Sequence, residues 1–488
     1  MKILLRTIPW NLRLPDLKKS ILEHHTAIIP LTQEFYEVKG AADSLDYKAI
    51  CCFAAIGFFL DDDTYYVNQK TFQPASVYHF DTNGNLIERK KYFNWHYSPR
   101  NISFQQALNE FGDLFETRVE EQIKDKRVIL SLSGGLDSRT LAAALNRKPG
   151  VFSYTYEFEQ GLSENRYGKA IAESAGFRFT PFQIKAGYLW EKIERAAQVN
   201  QCYSDFTNPR QVAVLEDLQN HGDIFLLGHW GDVLFDDSGA PEKLTEHETK
   251  AAIKKKMIKR GGLALARSLW QAWGLSGSFD DYLEERLSTL LGQIKISNAN
   301  AQIRAFKSLC WAPRWTSVGL TFFKHFKPIA VPYYSDEMCR FICTVPEEYL
   351  SGRRIQIEYI KQKSDALAKI PWQKFYPCNL YNYSQFNDIR FLPQRAWNKA
   401  NRIAREKILH RKFVSRNWEL QFCGAKNDLA LKGYLFDESF NKVVPRILVE
   451  EVYAHFQQDP VTYSHPLSML LTLSLFSRQQ RNQRNEHR

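Results

Sequence analysis

The chain has 488 residues, which is more than one typical domain and fits two or three. Hydrophobic residues make up 44% of the sequence and aromatic residues 14%, and this composition excludes a disordered or fibrous chain. The 65 Lys and Arg residues outnumber the 54 Asp and Glu residues and give a formal charge of +11. This mild excess permits an anionic ligand without requiring nucleic acid as a partner.

The eight cysteines are not arranged as a metal site or a disulfide framework. None of them forms a CxxC pair, and Cys339 and Cys343 lack a second Cys or His pair at zinc-binding spacing. Cys51 and Cys52 lie in an apolar run, which predicts buried thiols. We therefore expect free thiols in a reducing compartment.

No segment of the sequence is predicted to enter a membrane. The first residues lack the apolar core and the cleavage site of a signal peptide. The longest apolar run, residues 49–60, is shorter than the roughly 20 residues that a membrane span needs, so it predicts a buried helix. The expectation is a cytoplasmic protein without a membrane partner.

The first hundred residues predict a small α+β unit. Asn83 and Gly84 stand between two short β-like runs, which is a hairpin signal. A helix is predicted next, because Ser103 and Gln106 form a capping-box pattern and the apolar residues after them fall on one helical stripe.

Short strand and helix patterns alternate from residue 127 onward. Such alternation is typical of a doubly wound parallel sheet in an α/β fold. The predicted strands cover residues 127–132, 151–158, 177–184 and 223–228, and the predicted helices between them cover residues 140–145 and 164–174.

Beyond Pro241 the sequence is predicted to be helical and rich in basic residues. A basic cluster there predicts a solvated helix face or a phosphate site; it consists of Lys254, Lys255, Lys256, Lys259 and Arg260. Residues 394–412 repeat this pattern. From residue 437 the sequence predicts further helices, ending in a frayed polar tail over residues 478–488.

The most informative motif is SGGLDS, residues 133–138, at a predicted strand-to-helix junction. Its two glycines permit a tight turn with open N–H groups, and a helix N-terminus favours phosphate or pyrophosphate. Its two serine hydroxyls can donate to the same oxygens. A carboxylate would repel bare phosphate, so Asp137 indicates a bridging Mg²⁺. The motif is not the GxxxxGK[ST] loop of γ-phosphate-transferring proteins. The alternative interpretation is a Gly-Gly turn in which the serines have no binding role.

The motif and its surroundings resemble the ATP-pyrophosphatases, and among them the asparagine synthetase family with its relatives that close β-lactam rings or cyclise peptides. RVILSLSGGLDSRTLAAAL, residues 127–145, is similar to the ATP loop of that family. Later segments resemble the family in the same order, namely TYEFEQGLSENRYGKAIAESAGF, DIFLLGHWGD, VPYYSDEMCRFICTVPEEY and GYLFDESF. The resemblance implies a doubly wound parallel sheet of the ATP-pyrophosphatase type, with a helical C-terminal part and a small α+β domain before it.

The resemblance also implies ATP and Mg²⁺ as cofactors. In this family a carboxylate and ATP form an acyl-adenylate and pyrophosphate, and an amine then attacks the adenylate to give an amide. Asp232 would be the second Mg²⁺ carboxylate, facing Asp137. The residues that would contact the nucleotide are Leu132, Ser133, Gly134, Gly135, Asp137, Ser138, Tyr156 and Gly228.

The N-terminal region departs from the glutamine-using members of the family. Those members begin with a nucleophilic cysteine after the initiator Met, whereas Lys2 stands here and Cys51 and Cys52 lie far inside the chain. Residues 1–97 resemble only a shortened, inactive glutaminase-like domain, and residues 98–488 would form the synthetase domain. The expected nitrogen donor is ammonia, ammonia from a separate glutaminase, or another amine.

Two further positions are candidates for catalysis. His229 stands where the family has an acidic residue thought to handle the proton of the amine, and it is either a general base or a structural histidine. Val233 also replaces an acidic residue. Lys374 is the nearest match to the family's mobile lysine, and the alternative is a surface lysine.

These observations predict an ATP-dependent ligase that adenylates a small-molecule or peptide carboxylate and joins it to ammonia or an amine. Two alternatives remain at this point. One is a tRNA-modifying ATP-pyrophosphatase, although the sequence has neither a catalytic CxxC pair nor an RNA-binding module. The other is a degenerate relative that binds ATP without catalysis, against which the retained Asp137 and Asp232 argue.

Overall fold

The described part of the chain folds into three β-sheets surrounded by helices. In the computed structural model the described residues are 3–6, 35–81, 85–159, 161, 165–206, 210–236, 238–393, 396–397, 400 and 421–486. The strands are β1 Ile3–Arg6, β2 Phe35–Glu37, β3 Gln69–Thr71, β4 Ser76–Phe80, β5 Leu86–Lys91, β6 Val128–Ser131, β7 Val151–Phe158, β8 Arg178–Ile184, β9 Ile224–Leu226 and β10 Ile329–Ala330.

Helices account for most of the remaining described residues. The α-helices are α1 Tyr47–Ile56, α2 Phe104–Ile123, α3 Asp137–Ala144, α4 Asn165–Ala175, α5 Tyr188–Asn200, α6 Leu215–Leu218, α7 Gly231–Leu234, α8 Glu246–Met257, α9 Gly262–Ala272, α10 Phe279–Gly292, α11 Ala299–Phe306, α12 Ser317–Phe326, α13 Asp336–Ile342, α14 Glu347–Leu350, α15 Arg354–Lys363, α16 Asp365–Lys369, α17 Ala425–Leu435, α18 Glu438–Asn441, α19 Arg446–Gln458 and α20 Pro460–Glu486. A π-helical segment covers Lys307–Thr316, and short 3₁₀ helices cover Arg210–Ala213, Pro332–Tyr334, Ser351–Arg353, Gln373–Phe375, Tyr383–Asn387 and Ile389–Phe391.

The N-terminal region contains two small antiparallel sheets, one with the strand order β1-β4-β5 and one pairing β2 with β3. The predicted hairpin is confirmed as β4 and β5, closed by the Asp81 N–H donating to the Asn85 carbonyl at 2.9 Å. Its turn residues, 82–84, lie outside the described residues.

Helix α1 confirms the prediction that the apolar run forms a buried helix. The Asp46 side chain accepts from the Ala49 N–H at its start, and Gly57 ends it with a left-handed φ of 83°. Both Cys51 and Cys52 are fully buried in it. A Cβ added to Gly262 on α9 would lie 2.3 Å from the Ala55 carbonyl oxygen, so the two helices pack backbone to backbone. Since α1 shares one hydrophobic core with the large sheet, the boundary at residue 97 stays a prediction.

The large sheet has five parallel strands in the order β10-β9-β6-β7-β8. It confirms the α/β fold class and all four predicted strands; β10, with only two residues, was not predicted. In the central strand β6, Val128 pairs with Val151 on one side and Ile224 on the other. The chain leaves β6 toward β7 and β8, and later returns on its other side as β9. The loops after β6 and β9 therefore diverge at the carboxyl edge and form a crevice, where ligands bind in open α/β sheets.

Helix α2 begins as predicted. The Ser103 side chain accepts from the Gln106 N–H, and the Gln106 side chain accepts from the Ser103 N–H, completing the capping box.

The C-terminal part is helical as expected, but the prediction of a frayed tail was wrong. Helix α20 continues to Glu486, because its basic side chains are tied to α17 and α18. The Arg478 guanidinium donates to the Gly433 carbonyl at 2.6 Å and lies 4.4 Å from the centre of the Tyr434 ring. Arg481 donates to the Ser439 hydroxyl at 3.1 Å. Within the described residues, no helix has both the length and the apolar composition of a membrane span.

The basic cluster of α8 is only partly a solvated face. Lys254 forms an ion pair with Glu284 on α10, and Lys256 donates to the Ser238 carbonyl at 2.8 Å. The Lys259 ammonium lies 5.4 Å from the ring centre of Trp315. Most of the second basic segment, residues 394–412, lies outside the described residues.

Candidate functional site

A cavity of about 450 Å³ opens at the crevice between the loops that follow β6 and β9. The π-helical segment Lys307–Thr316 and helix α12 form its outer wall. Its lining residues are Ser131, Ser133, Asp137, Ser138, Gln211, Leu227, Gly228, His229, Trp230, Asp232, Val233, Lys307, Trp311, Trp315, Thr316 and Phe323. A larger cavity, about 1110 Å³, lies elsewhere among residues such as Phe35, Trp273 and Phe476, and none of the predicted site residues lines it.

The loop after β6 is held together by its own serines. The Ser133 N–H donates to the Ser138 hydroxyl at 3.1 Å, and the two hydroxyl oxygens lie 3.2 Å apart. The Gly135 N–H donates to the Ser133 hydroxyl at 3.3 Å. Helix α3 then starts at Asp137, so its N-terminus lies at the cavity. These hydrogen bonds fix the loop around the N-terminus of α3, and a helix N-terminus is a position that favours phosphate oxygens.

Asp137 is fixed by two side chains that follow it by more than 200 residues in the chain. The Arg353 guanidinium forms an ion pair with Oδ1, and the Gln356 amide donates to the same oxygen at 3.1 Å. Gln356 also donates to the Tyr333 hydroxyl at 2.9 Å. Burial raises the pKa of Asp137; Arg353 opposes this effect, and the Asp232 carboxylate adds to it. Arg353 itself has a left-handed φ of 65°, which is a strained backbone conformation for a residue other than glycine.

Asp232 comes close to Asp137 because two glycines let the loops meet. A Cβ added to Gly231 would lie 2.3 Å from Asp137 Oδ1, and one added to Gly228 would lie 3.1 Å from the Asp137 Cβ. Gly228 therefore permits the approach of the loop to Asp137. Trp230, with a left-handed φ of 76°, turns the chain into α7, whose second residue is Asp232.

The carboxylates of Asp137 and Asp232 fit a Mg²⁺ ion bound together with phosphates. The Asp232 carboxylate accepts no hydrogen bond or ion pair from a described residue, and both contacts of Asp137 fall on Oδ1, leaving Oδ2 open. The described residues contain no cluster of three or more His, Cys, Asp or Glu side chains that would form an all-protein metal cage. A pair of carboxylates completed by substrate phosphates is the usual way in which proteins hold Mg²⁺.

His229 lines the same cavity beside this pair of carboxylates. Burial lowers its pKa to about 4, with Asp232 opposing the effect, so the ring is neutral at neutral pH. Its Nδ1 atom is buried and has no hydrogen-bond partner in the described part of the chain. Its ring centre lies 6.2 Å from that of Phe323 in an edge-on arrangement. A neutral imidazole is able to accept a proton at the ring nitrogen that carries no hydrogen.

Lys307 is a cavity residue that sequence reasoning missed. Burial lowers its pKa to about 8, partly offset by Asp232. Its ammonium lies 5.6 Å from the centre of the Trp311 ring and makes no hydrogen bond or ion pair with a described residue. In the sequence, Lys307 was marked only as a lysine in a stretch rich in apolar and aromatic residues. Arg353 and Gln356 were also missed, because they reach the motif from more than 200 residues away, with sequence separations of 216 and 219.

Lys374 lies next to the loop after β6 but outside the lining of the cavity. The neighbouring Gln373 N–H donates to the Gly134 carbonyl at 3.3 Å, and a Cβ on Gly134 would lie 2.5 Å from the Gln373 Cβ. The Lys374 side chain is exposed, with its ammonium 5.3 Å from the centre of the Phe375 ring. Its catalytic role stays a prediction.

Arg139 connects the loop after β6 to the segment that carries Lys374. Its fully buried guanidinium donates to the carbonyls of Ile370 at 2.8 Å and Pro371 at 2.9 Å. Burial lowers the pKa of Arg139 to about 10. The first turns of α3 and the chain just before Lys374 are thus held as one unit.

The cavity brings together six of the predicted site residues: Ser133, Asp137, Ser138, Gly228, His229 and Asp232. Outside the lining are Leu132, Gly134, Gly135, Tyr156 and Lys374. Leu132 is buried and its N–H donates to the Tyr154 carbonyl at 2.8 Å, while Tyr156 is half-buried on β7. The placement of adenine and ribose near these two residues stays a prediction.

Comparison with known proteins gives partial matches to synthetases. The glutamine-hydrolysing GMP synthase of Latilactobacillus sakei is 33% identical over 73 residues, which are 15% of this chain and 14% of that protein. The GMP synthase of Prochlorococcus marinus strain NATL1A is 31% identical over 141 residues, 29% of this chain and 24% of that protein. These matches span only a small part of the length of either relative.

A solved structure and a protein family also match. The structure is an ammonia-dependent NAD synthetase from Campylobacter jejuni with a nitrate ion; it is 15% identical, covers 38% of this chain and 95% of its own, and superposes with a TM-score of 0.20. Residues 110–350 match the asparagine synthase family, and they include both loops of the cavity. Residues 110–350, a little under half of the chain, are therefore similar to the asparagine synthase family.

Proposed function

We propose that this protein is an ATP-dependent carbon–nitrogen ligase that adenylates a carboxylate and forms an amide with ammonia or another amine, without hydrolysing glutamine itself. The observation that carries the proposal is the apposition of Asp137 and Asp232, with Gly231 packed against the Asp137 carboxylate. Two carboxylates that can hold Mg²⁺, next to a loop that can bind phosphate, suit a nucleoside triphosphate better than an uncharged ligand.

In the adenylation step an oxygen of the carboxylate attacks the α-phosphorus of ATP, and pyrophosphate leaves. The N-terminus of α3 and the hydroxyls of Ser133 and Ser138 would bind the leaving pyrophosphate, the hydroxyls giving up their present bond to each other for phosphate oxygens. Asp137 and Asp232 would hold Mg²⁺, which supplies charge neutralisation for the departing phosphates. Arg353 orients Asp137 for this role.

In the second step the amine attacks the acyl carbon and AMP leaves. His229, which is neutral and lines the cavity, would take the proton that the amine releases. Lys374, which lies next to the loop after β6, would be near the negative charge that develops in this step. The thiols of Cys51 and Cys52 are buried in α1, and burial raises the pKa of both, so they offer no reactive thiolate for glutamine hydrolysis.

Pyrophosphate release tests the proposal directly. The protein with ATP, Mg²⁺ and a panel of carboxylates should release pyrophosphate with at least one carboxylate, and Asp137→Asn should slow this release about 100-fold or more. Asp113→Asn, on the solvent face of α2, is the matched control and should leave the rate unchanged. Release that is absent for all carboxylates, or equal in Asp137→Asn and the control, contradicts the proposed function.

A further inference from the structure

We propose that the substrate carboxylate is carried on a hydrophobic, ring-bearing body without an ammonium group, and that Lys307 binds its carboxylate. This inference rests on the proposed function, because it concerns the acceptor side of the same cavity. It specifies which class of carboxylate the cavity selects.

The outer wall of the cavity is aromatic. Trp230, Trp311, Trp315 and Phe323 all line it. The rings of Trp311 and Trp315 lie 6.3 Å apart and are nearly perpendicular, so together they form a corner. Aromatic walls of this kind bind flat apolar groups by burial and edge or face contact.

The aromatic corner is held in place from outside the cavity. Phe58, from the segment just after α1, stacks on Trp311 with ring centres 5.5 Å apart. The Lys259 ammonium lies 5.7 Å from the Trp311 ring centre and 5.4 Å from that of Trp315. Because both indoles are fixed before a ligand enters, little side-chain ordering would be needed on binding.

The lining has no acidic group left for an amino-acid substrate. Among the described lining residues the acids are Asp137 and Asp232, and both are committed to the metal and phosphate side. An aspartate-like substrate would bring its ammonium group close to the Lys307 ammonium, with no carboxylate of the described lining left to pair with it. Burying an unpaired charge costs free energy, so the cavity disfavours such a substrate.

Lys307 supplies the charge that a carboxylate needs. Lys307 is half-buried, and its ammonium lies against the face of Trp311 without a hydrogen bond or ion pair to a described residue. A substrate carboxylate placed against it gains an ion pair in a partly buried site, which is worth more than the same pair on the surface. The substrate would enter with its ring in the tryptophan corner and its carboxylate at Lys307, near the phosphates held by the loop after β6.

The test compares carboxylates in the pyrophosphate-release assay with ATP and Mg²⁺. Phenylacetate and indole-3-acetate should support release with a kcat/KM at least tenfold above that of aspartate. Lys307→Met should raise the KM for the preferred carboxylate tenfold or more and leave the KM for ATP within twofold. Lys295→Met, which removes an exposed lysine, is the matched control and should change neither constant.

Two further variants protect the test against misfolding. Trp315→Ala should raise the KM for the ring-bearing acids more than that for acetate. Lys307→Arg should restore part of the carboxylate affinity that Lys307→Met loses. An unchanged KM for ATP shows in each case that the nucleotide side is folded.

The outcomes separate this inference from the proposed function. If release occurs but aspartate is preferred, or if Lys307→Met raises the KM for ATP and not for the carboxylate, the inference is wrong while the ligase function stands. In the second case the partner of Lys307 is a phosphate of ATP. If no carboxylate supports release, the proposed function fails and the inference fails with it.

Discussion

The two sides of the cavity use their polar groups in opposite ways. On the nucleotide side, Ser133 and Ser138 bond to each other and Asp137 is paired with Arg353, so the loop after β6 is already fixed. On the acceptor side, Lys307 and Nδ1 of His229 have no hydrogen-bond partner among the described residues. Asp232, which also has no hydrogen bond or ion pair among the described residues, is the exception on the nucleotide side and is the group that we propose to bind Mg²⁺. On the same proposal, the unpaired groups of the acceptor side find their partner in the substrate.

The largest effect is expected on the nucleotide side. Asp232→Asn should reduce pyrophosphate release about 10³-fold, because an amide cannot supply the second negative ligand for Mg²⁺ beside Asp137. Raising the Mg²⁺ concentration should recover part of the activity. Asp217→Asn, on the exposed side of α6, serves as the control. A variant with full activity would show that the two loops meet without sharing a metal.

The pre-organisation of the nucleotide side is tested by Arg139→Met. This change leaves the carbonyls of Ile370 and Pro371 without their buried donor, so unfolding in urea should cost about 3 kcal/mol less free energy. Arg127→Met is the control, because its ion pair with Asp223 is exposed and screened by water, so its loss should change the free energy of unfolding much less. Equal losses in both variants would mean that the buried arginine does not anchor this unit.

The open groups of the acceptor side are tested by His229→Gln. Amide formation should fall about 100-fold, since a glutamine cannot accept the proton of the amine. Adenylation, followed as exchange of labelled pyrophosphate into ATP, should change little. His247→Gln provides an exposed control on α8. If exchange falls as far as amide formation, His229 serves the structure of the cavity and is not the base.

Asp61 is a half-buried carboxylate outside the lining of the cavity. Burial raises its pKa to about 6, and Asp62 and Asp63 add to the effect. The folded state therefore prefers protonated Asp61, so its cost is small below about pH 4 and grows until the pH passes 6. Asp61→Asn should stabilise the protein by about 1 kcal/mol at pH 7 and hardly at all at pH 4. Asparagine tolerates the left-handed φ of 58° at this position.

Thermal unfolding at both pH values, with exposed Asp125→Asn as control, measures this difference. A gain that is the same at pH 4 and pH 7 would show that the carboxylate charge is not its cause.

The sequence was sufficient for the parts of the fold that are encoded locally. Strand β7 has the predicted bounds, because a continuous β-favouring run begins directly after Gly150. Helix α3 starts at Asp137, three residues earlier than its apolar pattern indicated, since the loop passes directly into helical geometry. Strand β10 was missed because two residues carry no periodic signal.

The same distinction applies to the site. The loop after β6 was predicted as a phosphate site because its residues are contiguous at 133–138, and Asp232 because a family resemblance supplied its role. Lys307 and Arg353 could not be predicted, because only tertiary packing brings them to Asp137 and Asp232. No local pattern distinguishes them from other basic residues of the chain.

The anchoring of Arg139 has a consequence for synthesis of the chain on the ribosome. The carbonyls that receive its guanidinium follow it by 231 and 232 residues, beyond the end of the family match at residue 350. A nascent or truncated chain ending at residue 350 would contain the entire SGGLDS motif and yet leave the guanidinium without its acceptors. Residues 110–350 alone would therefore lack these acceptors, and the loop after β6 gains its contacts with residues 370–373 only after that segment has been synthesised.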